Sequence, residues 1–175
     1  VIPLEEEDNF LPNPLKLEKK IKEINKELEI EHKGEKYIPK VRAFLNENPH
    51  NPLGKVMSAK DKELLKEIGL VCQKNGVFVI DDLIYRDLSY GERALPMASI
   101  PELFNNTISL MGISKAYGLA SLRAGFIVGP EAVMRLIANE IEESLDSMSV
   151  LQTAAVTGVF NGTKRREREA KKYLR

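Results

Sequence analysis

A chain of 175 residues with 43% hydrophobic content is long enough to bury one core and too apolar to be disordered. Its 26 basic and 26 acidic residues cancel. That excludes the overall basic field that draws a protein onto nucleic acid or an anionic membrane surface, and leaves a small molecule as the expected partner. The longest apolar runs, such as Val77 to Ile80, fall far short of the roughly 20 residues of a membrane helix. Glu5, Glu6, Glu7 and Asp8 so near the start do not suit a signal peptide. The lone Cys72 suits a reducing compartment. A soluble, cytoplasmic protein is expected, with no nucleic-acid or membrane partner and no metal site.

In chain order, Asn13 followed by Pro14 is a helix-start signal, and Leu17, Ile21, Ile24 and Leu28 recur at helical spacing up to a stop near Gly34. Its other face, from Glu18 to Lys26, is charged and reads as solvated. After Pro39, the run Val41 to Leu45 reads as a buried strand ending at Asn46. Ser58 with Asp61 resembles a capping box for a helix striped by Leu64, Leu65, Ile68, Val71 and Cys72 and ending at Gly76. Val77 to Ile80, apolar at every position, suits a strand covered on both faces. A short helix near Pro101 to Phe104, strands over Thr107 to Leu110 and Ala124 to Val128, and a helix from Pro130 to about Leu145 complete the pattern. Strands separated by helical crossovers imply an α/β layered domain whose ligands gather at the carboxyl ends of the strands. The charged segment from Thr163 is helical in composition, and no stop signal precedes Arg175.

Three loops each follow a predicted strand. Asn48-Pro49-His50-Asn51-Pro52-Leu53-Gly54 combines two φ-restricting prolines with a flexible glycine, so it either holds the Asn51 amide rigidly or is an ordinary turn. Asp82-Leu83-Ile84-Tyr85 sets a carboxylate at a strand end, where it faces a cation or caps a helix. The third runs from Ser114 and Lys115 through Gly118, Leu119 and Arg123 to Gly125, between two apolar strands. A lysine in apolar surroundings has its charged form disfavoured, which is how lysine becomes a nucleophile. Arg123 offers a planar fork suited to phosphate. Taken singly, the two are more often a surface lysine and an ion-paired arginine.

Together and in this order, the loops resemble the N-P-x-N-P-x-G, D-x-x-Y and S-K-x-x-G-L-x-x-x-R-x-G segments of the fold type I aminotransferases dependent on pyridoxal 5'-phosphate (PLP), the class I/II aminotransferase family. The resemblance runs from about Val1 to Arg175 and implies a PLP-dependent transferase-like large domain, with a mostly parallel sheet and flanking helices, incomplete. Residues 1–160 would be part of the PLP-binding domain and residues 161–175 the start of a helix leading toward a small domain absent from this chain. By the same resemblance Lys115 forms the Schiff base with PLP and acts as catalytic base, and Asp82 pairs with the pyridine nitrogen. Asn51 and Tyr85 bond the phenolic oxygen, Arg123 binds the phosphate, and Ser114 joins the cofactor-binding set.

Two departures stand out. Gly112 occupies the position three before the lysine where the family commonly has a serine, and Leu53 replaces a common threonine. The implied reaction passes an amino group from an amino acid to a 2-oxo acid, in a homodimer when intact. The same loops serve a PLP-dependent lyase or a cyclopropane-carboxylate-synthase-like enzyme, and a non-catalytic cofactor-binding fragment is the remaining alternative. The family's glycine-rich turn and ring-stacking aromatic have no counterpart in this chain, so alone it is expected to bind PLP weakly and to be inactive.

Overall fold

The structure is a computed structural model that describes residues 1–145 and 148–173, with the side chains of residues 145 and 163–173 not described. Helix α1 (Pro14–Glu31) begins as expected: the Asn13 side chain accepts from the Leu15 and Lys16 N–H groups at 3.0 and 3.3 Å, and Pro14 takes the first turn. It ends three residues before Gly34. Strand β1 is Ala43–Glu47, two residues later than the hydrophobicity predicts. The Val41 N–H donates to the Asn25 side chain of α1 at 2.8 Å, which ties the start of the apolar run to the helix. At the other end Asn46 and Glu47 stay in the strand because they pair with Asp81 and Asp82.

The capping box before helix α2 (Lys62–Lys74) is present, with the Ser58 N–H donating to the Asp61 carboxylate at 2.8 Å. Strand β2 is Phe78–Asp82; Val77 lies outside it because its N–H returns to the Cys72 carbonyl at 2.9 Å. A 3-10 turn over Pro101–Asn106 leads into β3 (Thr107–Gly112), and β4 (Gly125–Val128), α3 (Glu131–Leu145) and α4 (Val150–Tyr173) follow. Residues 174 and 175, part of the segment expected to lead toward a small domain, lie outside the described residues.

The sheet order is β1-β2-β3-β4, with the first two pairings parallel and the last antiparallel. This is the expected α/β architecture with a mostly parallel sheet. The main core gathers Leu17 and Ile21 of α1, Leu65, Ile68 and Cys72 of α2, and Val77 and Val79 at β2. A smaller cluster holds Ile113, Ala124 and Val159. Coverage of β2 on both faces is not observed within this chain. Val79 is fully buried on the helix side, whereas Ile80 is half-buried and its β1 neighbour Leu45 is 61% exposed on the other. Gly125 permits the β3–β4 approach, because a Cβ there would stand 2.8 Å from the Met111 carbonyl oxygen.

Candidate active site

Parallel pairing sets the carboxyl ends of β1, β2 and β3 along one edge, so the three loops emerge side by side. The first is closed by Asn48, which is fully buried. Its Nδ2 donates to the Met57 carbonyl at 2.8 Å and its Oδ1 accepts the Met57 N–H at 2.9 Å. Its own N–H donates to the Asp82 carbonyl at 2.9 Å, tying the loop to β2. Inside the loop the Gly54 N–H reaches the His50 carbonyl at 2.7 Å, with Gly54 at φ +65°, and both X–Pro bonds are cis. The Asn51 N–H donates to the Glu47 carboxylate at 3.0 Å, which ties the backbone of exposed Asn51 to the end of β1. Asn51 is thus held by a built loop.

In the second loop Asp82 Oδ1 accepts the Ile84 N–H at 3.0 Å, so this carboxylate shapes a turn and is not the N-cap of a helix, the next helical turn being preceded by Tyr85. Its Oδ2 has no donor among the described residues. Three residues beyond Asp82 the chain has turned enough for the Tyr85 hydroxyl to accept from Asn51 Nδ2 at 3.3 Å, joining the first two loops. A cleft of about 270 Å³ lined by Pro49, Asn51, Pro52, Tyr85, Leu88 and Tyr90 opens beside this pair.

The third loop follows fully buried Ile113 and places Lys115 Nζ 5.8 Å from the centre of the Tyr85 ring. No hydrogen bond or ion pair holds this ammonium among the described residues. Lys115 is exposed, so the apolar surroundings suggested by the flanking strands are not supplied by the described residues. Arg123 is also exposed, adopts a left-handed backbone (φ +49°), and donates from Nη1 to the Ala120 carbonyl at 3.0 Å. It makes no ion pair among the described residues. Because β4 starts opposite the end of β3, with Gly125 beside Gly112, Arg123 returns to the same sheet edge. The structure therefore joins Asn51, Tyr85 and Lys115 directly. Asp82, Ser114 and Arg123 stand on that edge without a hydrogen bond or ion pair to those three. At Gly112, a Cβ would lie 2.6 Å from Ile84 Cδ1, so an aliphatic group fills the place where a serine side chain would begin.

Three supporting residues escaped the sequence reading. Asn48 and Glu47 hold the first loop, and neither differs in type from ordinary turn and surface residues. Asp81 is fully buried on the core face, accepting from Asn46 Nδ2 at 2.9 Å and the Met97 N–H at 2.8 Å. Burial pushes its carboxyl up to about 6, against the opposing effect of those two bonds. The tandem Asp81–Asp82 was the available signal, since alternation along a strand must turn one of two adjacent carboxylates inward.

Residues 1–174 match the family described as aminotransferase class I and II. The chain belongs to that family. Kynurenine–oxoglutarate transaminase 1 of Mus musculus is 28% identical over 126 residues, covering 71% of this chain and 29% of that protein. Aspartate aminotransferase of Geobacillus stearothermophilus is also 28% identical over 126 residues, covering 71% and 31%. Among solved structures, a PLP-bound protein of Clostridium difficile 630 classed with the aminotransferases superposes with a TM-score of 0.76 at 26% identity, over 98% of this chain and 40% of that one. This aminotransferase chain thus spans about a third of the length of the curated relatives it matches. No helix among its described residues is long and apolar enough to cross a membrane.

Proposed function

We propose that this chain forms part of the PLP site of an enzyme that transfers an amino group from an amino acid to a 2-oxo acid, with Lys115 as the residue that bonds the cofactor. The observation that carries this reading is the convergence of three loops on one small space: Lys115 Nζ over the Tyr85 ring at 5.8 Å, and the Tyr85 hydroxyl bonded to Asn51 at 3.3 Å. The donor set fits PLP: an amine for its aldehyde, a carboxylate with an open oxygen for its ring nitrogen, two hydrogen-bonding groups for its phenolic oxygen, and a guanidinium for its phosphate.

Bound PLP supplies an electron sink for charge that develops at the substrate Cα. Lys115 would hold PLP through its aldehyde, and its free amine would hold and move the proton of the substrate Cα. Asp82 keeps a proton on the ring nitrogen through a charge-assisted hydrogen bond. Asn51 and Tyr85, held together through the Glu47 and Asn48 contacts, orient the ring by its phenolic oxygen. Arg123 binds the phosphate, with only one of its donors committed to the Ala120 carbonyl. Since Lys115 and Arg123 are both exposed and Gly112 offers no hydroxyl, this chain alone binds PLP weakly and does not turn over; the intact enzyme completes the site, as a homodimer.

The test is made on the full-length protein. PLP should give a visible absorbance band that Lys115→Ala abolishes, and a labelled amino group should pass from an amino acid to a 2-oxo acid. Asp82→Asn should retain PLP while lowering turnover by roughly two orders of magnitude. A band unchanged in Lys115→Ala would reject the assignment, and release of ammonia without an acceptor would make the enzyme a lyase.

A further inference from the structure

On the core face of the sheet, one register row is polar from strand to strand. Asn46 of β1 pairs with Asp81 of β2, and Asp81 pairs with Ser109 of β3. All three are buried, at 2%, 0% and 2% exposure. A polar row inside an apolar layer is costly unless its groups satisfy one another. Asp81 spends both carboxylate oxygens on neutral donors, Asn46 Nδ2 and the Met97 N–H, and Ser109 Oγ has no partner among the described residues. The row lies directly behind Asp82, which projects from the other face one residue later.

Among the described residues, the partners of Asp81 include no cation. β1 presents Asn46, β3 presents Ser109, and the segment before Pro101 presents a backbone N–H. Helix α2, packed on this face, offers buried Leu65, Ile68 and Cys72, whose thiol burial pushes up to about 12 and so keeps neutral. The charge that acts on Asp81 is Asp82, which raises it further after burial has done most of the work. A Coulomb interaction is mutual, so a proton leaving Asp81 changes the potential at Asp82. Gaining that proton need cost no hydrogen bond: if the Asn46 amide turns over, its oxygen can accept from a neutral Asp81 while the other carboxyl oxygen still accepts from Met97.

We propose that Asp81 is a positioning residue for the candidate active site, anchoring the end of β2 through the Asn46–Asp81–Ser109 row and setting, by its own charge, the electrostatic potential at Asp82. The inference rests on the PLP reading for its functional meaning, but its physical core concerns two carboxylates of this chain.

Asp81→Asn is the informative substitution, because an amide can keep both hydrogen bonds after the same turn of Asn46 while removing the charge. In the full-length protein, Asp81→Asn should hold PLP within about threefold of the unaltered protein, yet move the pH midpoint of the bound-cofactor absorbance to lower pH by about half a unit or more. Asp81→Ala, which breaks the row, should weaken PLP binding about tenfold or more. Identical pH midpoints in Asp81→Asn and the unaltered protein would overturn the proposal, leaving Asp81 a structural group only. A second measurement needs no variant: in cofactor-free protein with 13C-labelled aspartate carboxyls, the Asp82 signal should shift with the titration of Asp81. An Asp82 signal indifferent to Asp81 would also overturn it. Failure of the PLP reading shows separately, as the absence of any Lys115-dependent absorbance band.

Discussion

The two halves of the site rest on very different foundations. The half that carries Asn51, Asp82 and Tyr85 is backed by a core of eleven buried residues drawn from α1, α2, β2 and neighbouring turns. The half that carries Lys115 and Arg123 is backed, among the described residues, by three, Ile113, Ala124 and Val159, with partly buried Tyr117 and Phe126 around them. The groups proposed to orient the cofactor ring thus project from strand ends fixed by packing and buried hydrogen bonds. The groups proposed for the aldehyde and the phosphate come from an exposed loop. Under the proposed function, rigid positioning falls where geometry matters most, and the amine proposed to bond the cofactor sits on the less deeply backed side.

The sharpest way to break this comparison is to cut into each core. Leu65 is fully buried at the centre of the large cluster, and Leu65→Ala should cost about 3–5 kcal/mol by lost burial plus an unfilled cavity. Val159 is 6% exposed in the small cluster, and Val159→Ala should cost about 1 kcal/mol, since fewer buried neighbours lose contact. Denaturant midpoints of the two variants measure the difference directly. Equal losses would mean that both halves share one cooperative core and that the contrast is only apparent.

A smaller effect tests the polar part of the rigid half. Asn48→Ala removes both hydrogen bonds to Met57 and strands a buried N–H and carbonyl, costing about 2–4 kcal/mol. Faster hydrogen exchange should be confined to residues 48–57. If exchange rises equally across β3 and β4, Asn48 is not a local clamp. In the thin half, Gly125→Ala should cost about 1–3 kcal/mol, because the added Cβ meets the Met111 carbonyl rather than a movable side chain. The measurable sign is weakened protection of β4, with β1 and β2 unchanged.

Much of this arrangement was legible in the sequence where one physical rule governs a short stretch. The Asn13–Pro14 start and the Ser58–Asp61 box depend on neighbouring residues, and both formed as read. Element edges were less legible because partners distant in sequence decide them: Asn25 captures Val41, and Asp81 and Asp82 keep Asn46 and Glu47 in β1. The same holds for the site. The three loops could be seen as polar segments after strands, and their order carried the family resemblance. The Asn48 clamp and the inward turn of Asp81 could not, since both depend on which groups meet across a gap of many residues. The reversed direction of β4, set by a loop of twelve residues after β3, was not read in advance either.

The smallest expected change in stability falls on the residue assigned to the phosphate. Arg123 is exposed and its side chain makes a single hydrogen bond, to the Ala120 carbonyl, while its backbone holds φ +49°, a conformation that costs most residues about 1 kcal/mol and glycine little. Arg123→Gly therefore removes backbone strain while adding freedom to the unfolded chain, and the two terms oppose each other. A net change within about 0.5 kcal/mol is expected in the denaturant midpoint. Binding should respond quite differently: losing a guanidinium that meets a doubly charged phosphate should weaken PLP affinity in the full-length protein by about tenfold or more. Arg123→Ala provides the control, since it loses the same guanidinium but keeps a Cβ in the left-handed region. It should match the glycine variant in PLP affinity and fall below it in stability. If both variants bind PLP as tightly as the unaltered protein, Arg123 does not hold the phosphate, and its left-handed backbone serves only to turn the chain into β4.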